Sequence, residues 1–304
     1  MANPRDNNQL SRYGAIARTY AALNPQAKVF FLAPASASWF GDFQFMFPVD
    51  GDGVPRVHTS FAAVNAAVVA DRGDVVLVLP GYTESVAGAA GINLSVSGVS
   101  YIGLGNGSLR PTLTFTTATT ATVTITAANI TIENIFATST FDAVVSPFVV
   151  SAAGVTFKNC VFETASASAQ VTQMILTTAA ANNFTIDSCR FYGTADAGNT
   201  CAVTIVGGNN LQIVNSNFTG AYTTTVGAIR SITTLNTNCV IRDNTIVNLT
   251  ASATKGITLL TGSTGQIMRN TFGIGSGAAP ITADAAWWGG SWTAAAVGTN
   301  STLI

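Results

Sequence analysis

Side chains able to do chemistry are few in this chain of 304 residues. Its middle part carries six carboxylates, Glu133, Asp142, Glu163, Asp187, Asp196 and Asp243. Hydrolysing a glycosidic bond needs two such groups facing each other across about 5–9.5 Å. The single histidine, His58, has no partner at a fixed spacing, so a surface or capping role is expected of it. Cys160, Cys189, Cys201 and Cys239 form no Cys-x-x-Cys pair, which disfavours a zinc site and leaves them as small apolar filler. Asp50-Gly51-Asp52-Gly53 has the look of a calcium loop, but Val54, Pro55 and Val57 offer no side-chain oxygen where further ligands belong. A tight turn is the better reading. No cofactor or metal is expected.

The elements that would position these groups declare themselves by repetition. Phe157-Lys158-Asn159-Cys160-Val161-Phe162 is followed by Ile186-Asp187-Ser188-Cys189-Arg190-Phe191 and Ile213-Val214-Asn215-Ser216-Asn217-Phe218. Ile241 to Ile246 and Ile267 to Phe272 continue the phrase, and Ile132 to Phe136 is a looser earlier copy. Periods of this length mean stacked structural units. Within each unit the apolar residues are two apart, as at Val155 and Phe157 or Leu211 and Ile213, which is strand spacing. The fold class expected is therefore all-β, a parallel β-helix with one coil per repeat. Val75–Leu79 and Val99–Ile102 supply earlier rungs, giving about eight coils from 75 to roughly 283.

That register makes columns. Ile130, Val155, Phe184, Leu211 and Cys239 should stack inward, as should Phe162, Phe191, Phe218, Ile246 and Phe272. Asn134, Asn159, Ser188, Asn215 and Asp243 hold the turn, where side chains with a donor and an acceptor can bond their own kind in the coils above and below. Glu133, Lys158 and Asp187 should form an alternating outward ladder, with Cys160 and Cys189 in adjacent coils. Glu133 and Asp187 are then about 10 Å apart with a lysine between them, a poor arrangement for an acid and its base.

Only 9% of residues are charged, against roughly 25% in an average chain, and the net charge is −1. No basic stripe exists to neutralise phosphates, so neither nucleic acid nor a membrane surface is an expected partner. The stretch from Val29 to Val49 is interrupted by Pro34, Gly41, Asp42 and Pro48 and is no membrane span. The first eight residues lack the order of a secretory signal, which points to synthesis in a cytoplasm. Three regions are expected. Residues 1–48 form an arm with a helix over 10–23 and seven aromatics in eighteen residues, Phe30, Phe31, Trp39, Phe40, Phe43, Phe45 and Phe47. Residues 49–283 form the β-helix, with an opening turn and capping helix over 49–74. Residues 284–304 form a tail with Trp287, Trp288 and Trp292, which either cover the last coil or meet a neighbouring subunit.

The opening of the β-helix runs from Asp50-Gly51-Asp52-Gly53 through Phe61, Val64, Ala67 and Val68 on one helical face to Gly73-Asp74, an apolar strand and Pro80-Gly81-Tyr82. With Tyr82 directly after Gly81, where the family has Pro-Gly-x-Tyr, it resembles the start of right-handed β-helices in the pectin-lyase-like superfamily, over roughly 49–283. The family's acidic calcium cluster, its Arg-rich motif and the signatures of polygalacturonases have no counterpart here. In segment order the chain also looks like non-enzymatic β-helix proteins of tailed-phage virions. That resemblance implies a structural virion protein without catalytic residues, made in the host cytoplasm. Capsid decoration or cement is the role expected, with the major capsid protein or another virion protein as partner and a homotrimer as the assembly. The aromatics of the arm would be its anchors, and removing 1–45 should leave a folded rod. The alternative it leaves open is a tailspike or tail fibre that binds or degrades host polysaccharide, with Tyr101, Tyr192, Tyr222 or the tryptophans as stacking platforms.

Overall fold

The fold was obtained as a computed structural model, which describes residues 4–166, 168–193, 199–274, 281–282, 292–294 and 302–303, with side chains of the first helix described from residue 12 onward. Three parallel sheets wrap around one core. The first sheet has ten strands, and eight of them lie in chain order from Val75–Val78 to Gly265–Met268. These are the eight expected coils. The second sheet begins at Thr83–Val86 and the third at Ile92–Leu94, each adding one strand per coil. Pairing is in register throughout: Phe157 lies between Ile132 and Ile186, and Phe162 pairs with Phe191.

Both inward columns are buried as the spacing predicts, from Ile130 to Cys239 and from Phe162 to Phe272. Phe162, Phe191 and Phe218 stack nearly parallel, with centroids 4.5 and 4.6 Å apart and interplanar angles of 17° and 11°. One strand spacing per coil sets this distance, since neighbouring strands lie about 4.8 Å apart.

The turn column behaves differently from expectation. Asn134, Asn159, Ser188, Asn215 and Asp243 all have left-handed backbone, with φ between 53° and 58°. Asn and Asp tolerate that region better than most residues, and this explains their recurrence. Their side chains do not bond their own kind. Asn134 donates to the carbonyls of Gly103 and Gly105, Asn159 to Glu133, and Asn215 to Asp187. The coil-to-coil ladder lies one residue later and is buried. Asn270 donates through Nδ2 to Ile241 O and Asn244 to Ile213 O, each the equivalent carbonyl of the preceding coil. Cys189 and Cys160 reach Phe157 O and Ile132 O in the same way. The two cysteines are therefore rungs of this ladder, with free thiols, and burial pushes the Cys189 thiol up.

Residues 4–48 fold back against the β-helix. Helix α1 spans Pro4–Leu23, longer than expected, and helix α2 spans Phe40–Met46. Between them Val29–Leu32 is a strand of the first sheet, paired in parallel with Val75–Val78 on one side and Val57–His58 on the other. It adds a ninth rung. Its four residues are buried on both faces, Phe30 and Leu32 in the coil interior and Val29 and Phe31 beneath the helices. Deleting 1–45 would strip this strand, so the deletion cannot leave the rod intact. Helix α3, Phe61–Asn65, plugs the open end with Phe61 and Val64, joined by Val68 just beyond it, and its N-cap Ser60 accepts from Ala63 N–H. At the other end Trp292–Ala294 pairs in parallel with Thr271–Gly273, and Thr302–Leu303 returns antiparallel on it. Trp292 is opposite Thr271, while Trp287 and Trp288 lie outside the described residues.

Candidate functional site

The N-terminal end gathers most of the aromatics expected to act as anchors, and it uses most of them internally. Phe31 packs edge-on against Phe43 with centroids 4.9 Å apart, and Phe43 in turn touches Tyr13, Trp39 and Phe47. Phe30 and Phe31 are core residues of the first sheet, and Phe43 is buried with them. Their burial follows from the added strand, whose two faces both needed cover. Trp39, Phe40 and Phe47 are half-buried around this cluster. Phe45 alone of the seven is turned fully to solvent, 87% exposed, beside Met46 at 45% and Val49 at 50%. Next to them a groove of about 500 Å³ runs between α1 and α2, floored by Gly14, Ala17, Met46 and Phe47 and flanked by Arg18 and Arg56. Arg56 Nε finds no acceptor among the described residues.

The aspartates of the opening turn are held by a cation within the chain. Lys28 Nζ contacts both Asp50 and Asp52, and Asp50 Oδ1 accepts from the Asp52 and Val54 amides. The lysine holds the Asp50 carboxyl down at about 2. A depressed carboxylate stabilises the fold above its unfolded value, near 3.9, and that contribution disappears as pH falls through the folded value. We expect faster amide exchange at residues 50–57 between about pH 4 and pH 2, with the acid step removed in Asp50→Asn. An unchanged exchange profile across that window would contradict the assignment. His58 bonds Pro55 O through Nε2, its ring lies 5.9 Å from that of Phe30, and burial lowers its pKa.

Along the coils four of the described carboxylates are engaged in structure. Asp243 is gripped by Arg269 and Arg242, which hold it well below the usual carboxylate range. Glu133 faces Lys158 at 3.8 Å, the expected ladder contact, and also accepts from Asn159. Asp187 accepts from Ser188 and Asn215, and Asp142 from the Ala143 amide. Asp196 lies outside the described residues. No group of three His, Cys, Asp or Glu side chains suited to a metal occurs among the described residues. Of the tyrosines expected as platforms, Tyr101 and Tyr222 are interior. Tyr192 is at the surface, with the Arg190 guanidinium 4.9 Å above its ring, and burial followed by the neighbouring Glu163 raises its pKa. A groove of about 690 Å³ follows the corner between the first and second sheets here, from Arg110 past Glu133 and Asn159 to Arg190. Sequence reasoning missed it, because its residues come from four coils and from different columns.

No protein-family profile and no curated protein matches the chain. Among solved structures it is similar to the pectate lyase Pel9A, with a TM-score of 0.55 and 14% identity over 89% of this chain and 77% of that one. It also matches a rhamnogalacturonan lyase at TM-score 0.46 and 13% identity, over 81% of this chain and 74% of that one. A third match is Geobacillus virus E2 ORF18, at TM-score 0.38 and 14% identity, over 87% of this chain and 64% of that one. At such identities the likeness to Pel9A shows the fold alone.

Proposed function

We propose that this chain, a parallel β-helix of the pectate-lyase type, is a non-enzymatic structural protein of a tailed-phage virion, set on the capsid through its N-terminal cap as a decoration protein. The observation that carries the reading is the apolar face of Phe45, Met46 and Val49 on an end whose other aromatics are packed away. A sealed cap has no folding reason to present a phenylalanine to water, whereas an interface anchor does. The groove beside it, with Arg18 and Arg56, offers donors to the same partner. Engagement of Glu133, Asp142, Asp187 and Asp243 in turns and ion pairs supports a rod without hydrolytic work. So does a chain in which only 9% of residues carry charge, which leaves a weakly charged exterior suited to close packing with neighbours. The segment order resembling phage β-helix proteins points to the particle.

Phe45→Asp is expected to weaken co-sedimentation with particles lacking this chain by about 30-fold or more, the effect of losing about 2 kcal/mol at an interface anchor. The isolated variant should keep its circular dichroism and thermal midpoint, because the side chain touches water in the free protein. Undiminished particle binding would refute the docking face. A homotrimer is the proposed assembly, and sedimentation equilibrium of the purified chain at monomer mass would refute it.

A further inference from the structure

We propose that the outer face of the third sheet is the surface through which three copies of this chain associate, around an axis running along the rod. This rests on the homotrimer proposed for the virion and adds the face that builds it. Charge sets the third sheet apart from the other two. Glu133, Lys158, Asp187 and Arg242 lie in strands of the first sheet, and Glu84, Glu163 and Arg190 in strands of the second. Among the described residues, the strands of the third hold one charged side chain, Arg230. Its guanidinium reaches back along the rod, donating to Thr204 in the preceding coil and to Gln173 in the one before. The charge is thus laid against the sheet on neutral acceptors.

In place of charge this face carries aliphatic side chains. Val149 and Leu176 pair across adjacent coils. Strand alternation turns them outward, since Val150, Ile175 and Thr177 beside them are fully buried. Val206, Ile232 and Leu260 occupy a second outward column in successive coils, because Ile205 pairs with Ser231 and Arg230 with Thr258. All five are half-buried, and none joins the rod's interior.

Symmetry selects a second copy of this chain as the occupant. Around an axis along the rod, each residue near the centre meets its own copies at the same height. An uncharged, aliphatic face is complementary to itself. The column Glu133, Lys158 and Asp187 of the first sheet would instead set each charge against its like. The third sheet has the extent as well, since eight strands about 4.8 Å apart make a face about 34 Å long. This arrangement turns the corner between the first and second sheets, with its groove from Arg110 to Arg190, away from the axis.

The purified chain should carry Thr178→Cys or Thr124→Cys on this face, or Thr156→Cys on the outer face of the first sheet, and be oxidised and run without reductant. The four native cysteines are buried and stay silent. We expect covalent dimers from Thr178→Cys or Thr124→Cys and none from Thr156→Cys. In sedimentation equilibrium Ile232→Arg should raise the concentration for half-assembly at least 10-fold, with circular dichroism unchanged. Dimers from Thr156→Cys, none from either cysteine on the third sheet, or a trimer untouched by Ile232→Arg would each overturn the face while leaving the trimer standing. A parent chain at any mass but that of three copies would overturn both.

Discussion

Replacing Asp74 by alanine is expected to destabilise the N-terminal coils by about 3–5 kcal/mol, the cost of breaking a buried, hydrogen-bonded ion pair from one side. Asp74 is fully buried, and four donors converge on it. Arg72 grips both oxygens at 2.6 Å, the Lys28 amide donates to Oδ1 at 2.8 Å, and the Val69 amide donates to Oδ2 at 2.9 Å. Those amides belong to the start of the N-terminal strand and to the chain just after α3. One carboxylate thus ties the strand that completes the first sheet to the plug that seals the rod. In the alanine variant the guanidinium and two amides lose their acceptor together, and each unpaired group costs about 1–3 kcal/mol. Asp74→Asn should fall between the two, since the amide keeps one acceptor. Stacked coils communicate only with their neighbours, so chemical denaturation should show the first coils unfolding before the rest. A single transition within about 1 kcal/mol of the parent would contradict this role.

Phe191→Ala should cost a similar amount, about 3–5 kcal/mol, at the middle of the rod. The ring lies between Phe162 and Phe218, and its removal leaves a gap that both neighbours border. Regular backbone pairing above and below, Phe162 to Phe191 and Phe191 to Phe218, prevents the coils from closing on that gap. Phe191→Leu should recover more than half of the loss, because much of the volume returns. Equilibrium denaturation of the two variants tests this. Equal stability of the alanine and parent proteins would mean that the aromatic column is not where the rod is held.

The repeating part of this fold was legible because each coil spends the same positions on the same tasks. Ile130, Val155, Phe184 and Leu211 could be placed inward from spacing alone, and so could the Phe column and the plug at Phe61 and Val64. The buried ladder was harder to see. In its column Cys160, Cys189, Asn244 and Asn270, chemically unlike residues, make one kind of bond to the coil before. Ser216 breaks the pattern slightly, bonding Val214 O in its own coil while accepting from the Cys189 amide. The strand Val29–Leu32 was hidden for another reason. A strand covered on both faces reads as an uninterrupted apolar run, with no alternation to mark it, and this one carries no copy of the repeated phrase. Its own Phe30 and Phe31, and Phe43 packed on it, therefore looked like free anchors, although the interior had already claimed them. Phe45 could not be told apart from them by type or spacing, since only the turn of α2 sets its direction.

A density map of the intact particle, at a resolution that traces the β-helix, addresses the docking assignment with least inference. We predict that each rod meets the capsid with its N-terminal end, with Phe45, Met46 and Val49 inside the contact and the groove from Arg110 to Arg190 left open to solvent. A rod attached by its C-terminal coils, with Phe45 bare on the outside, would contradict the account.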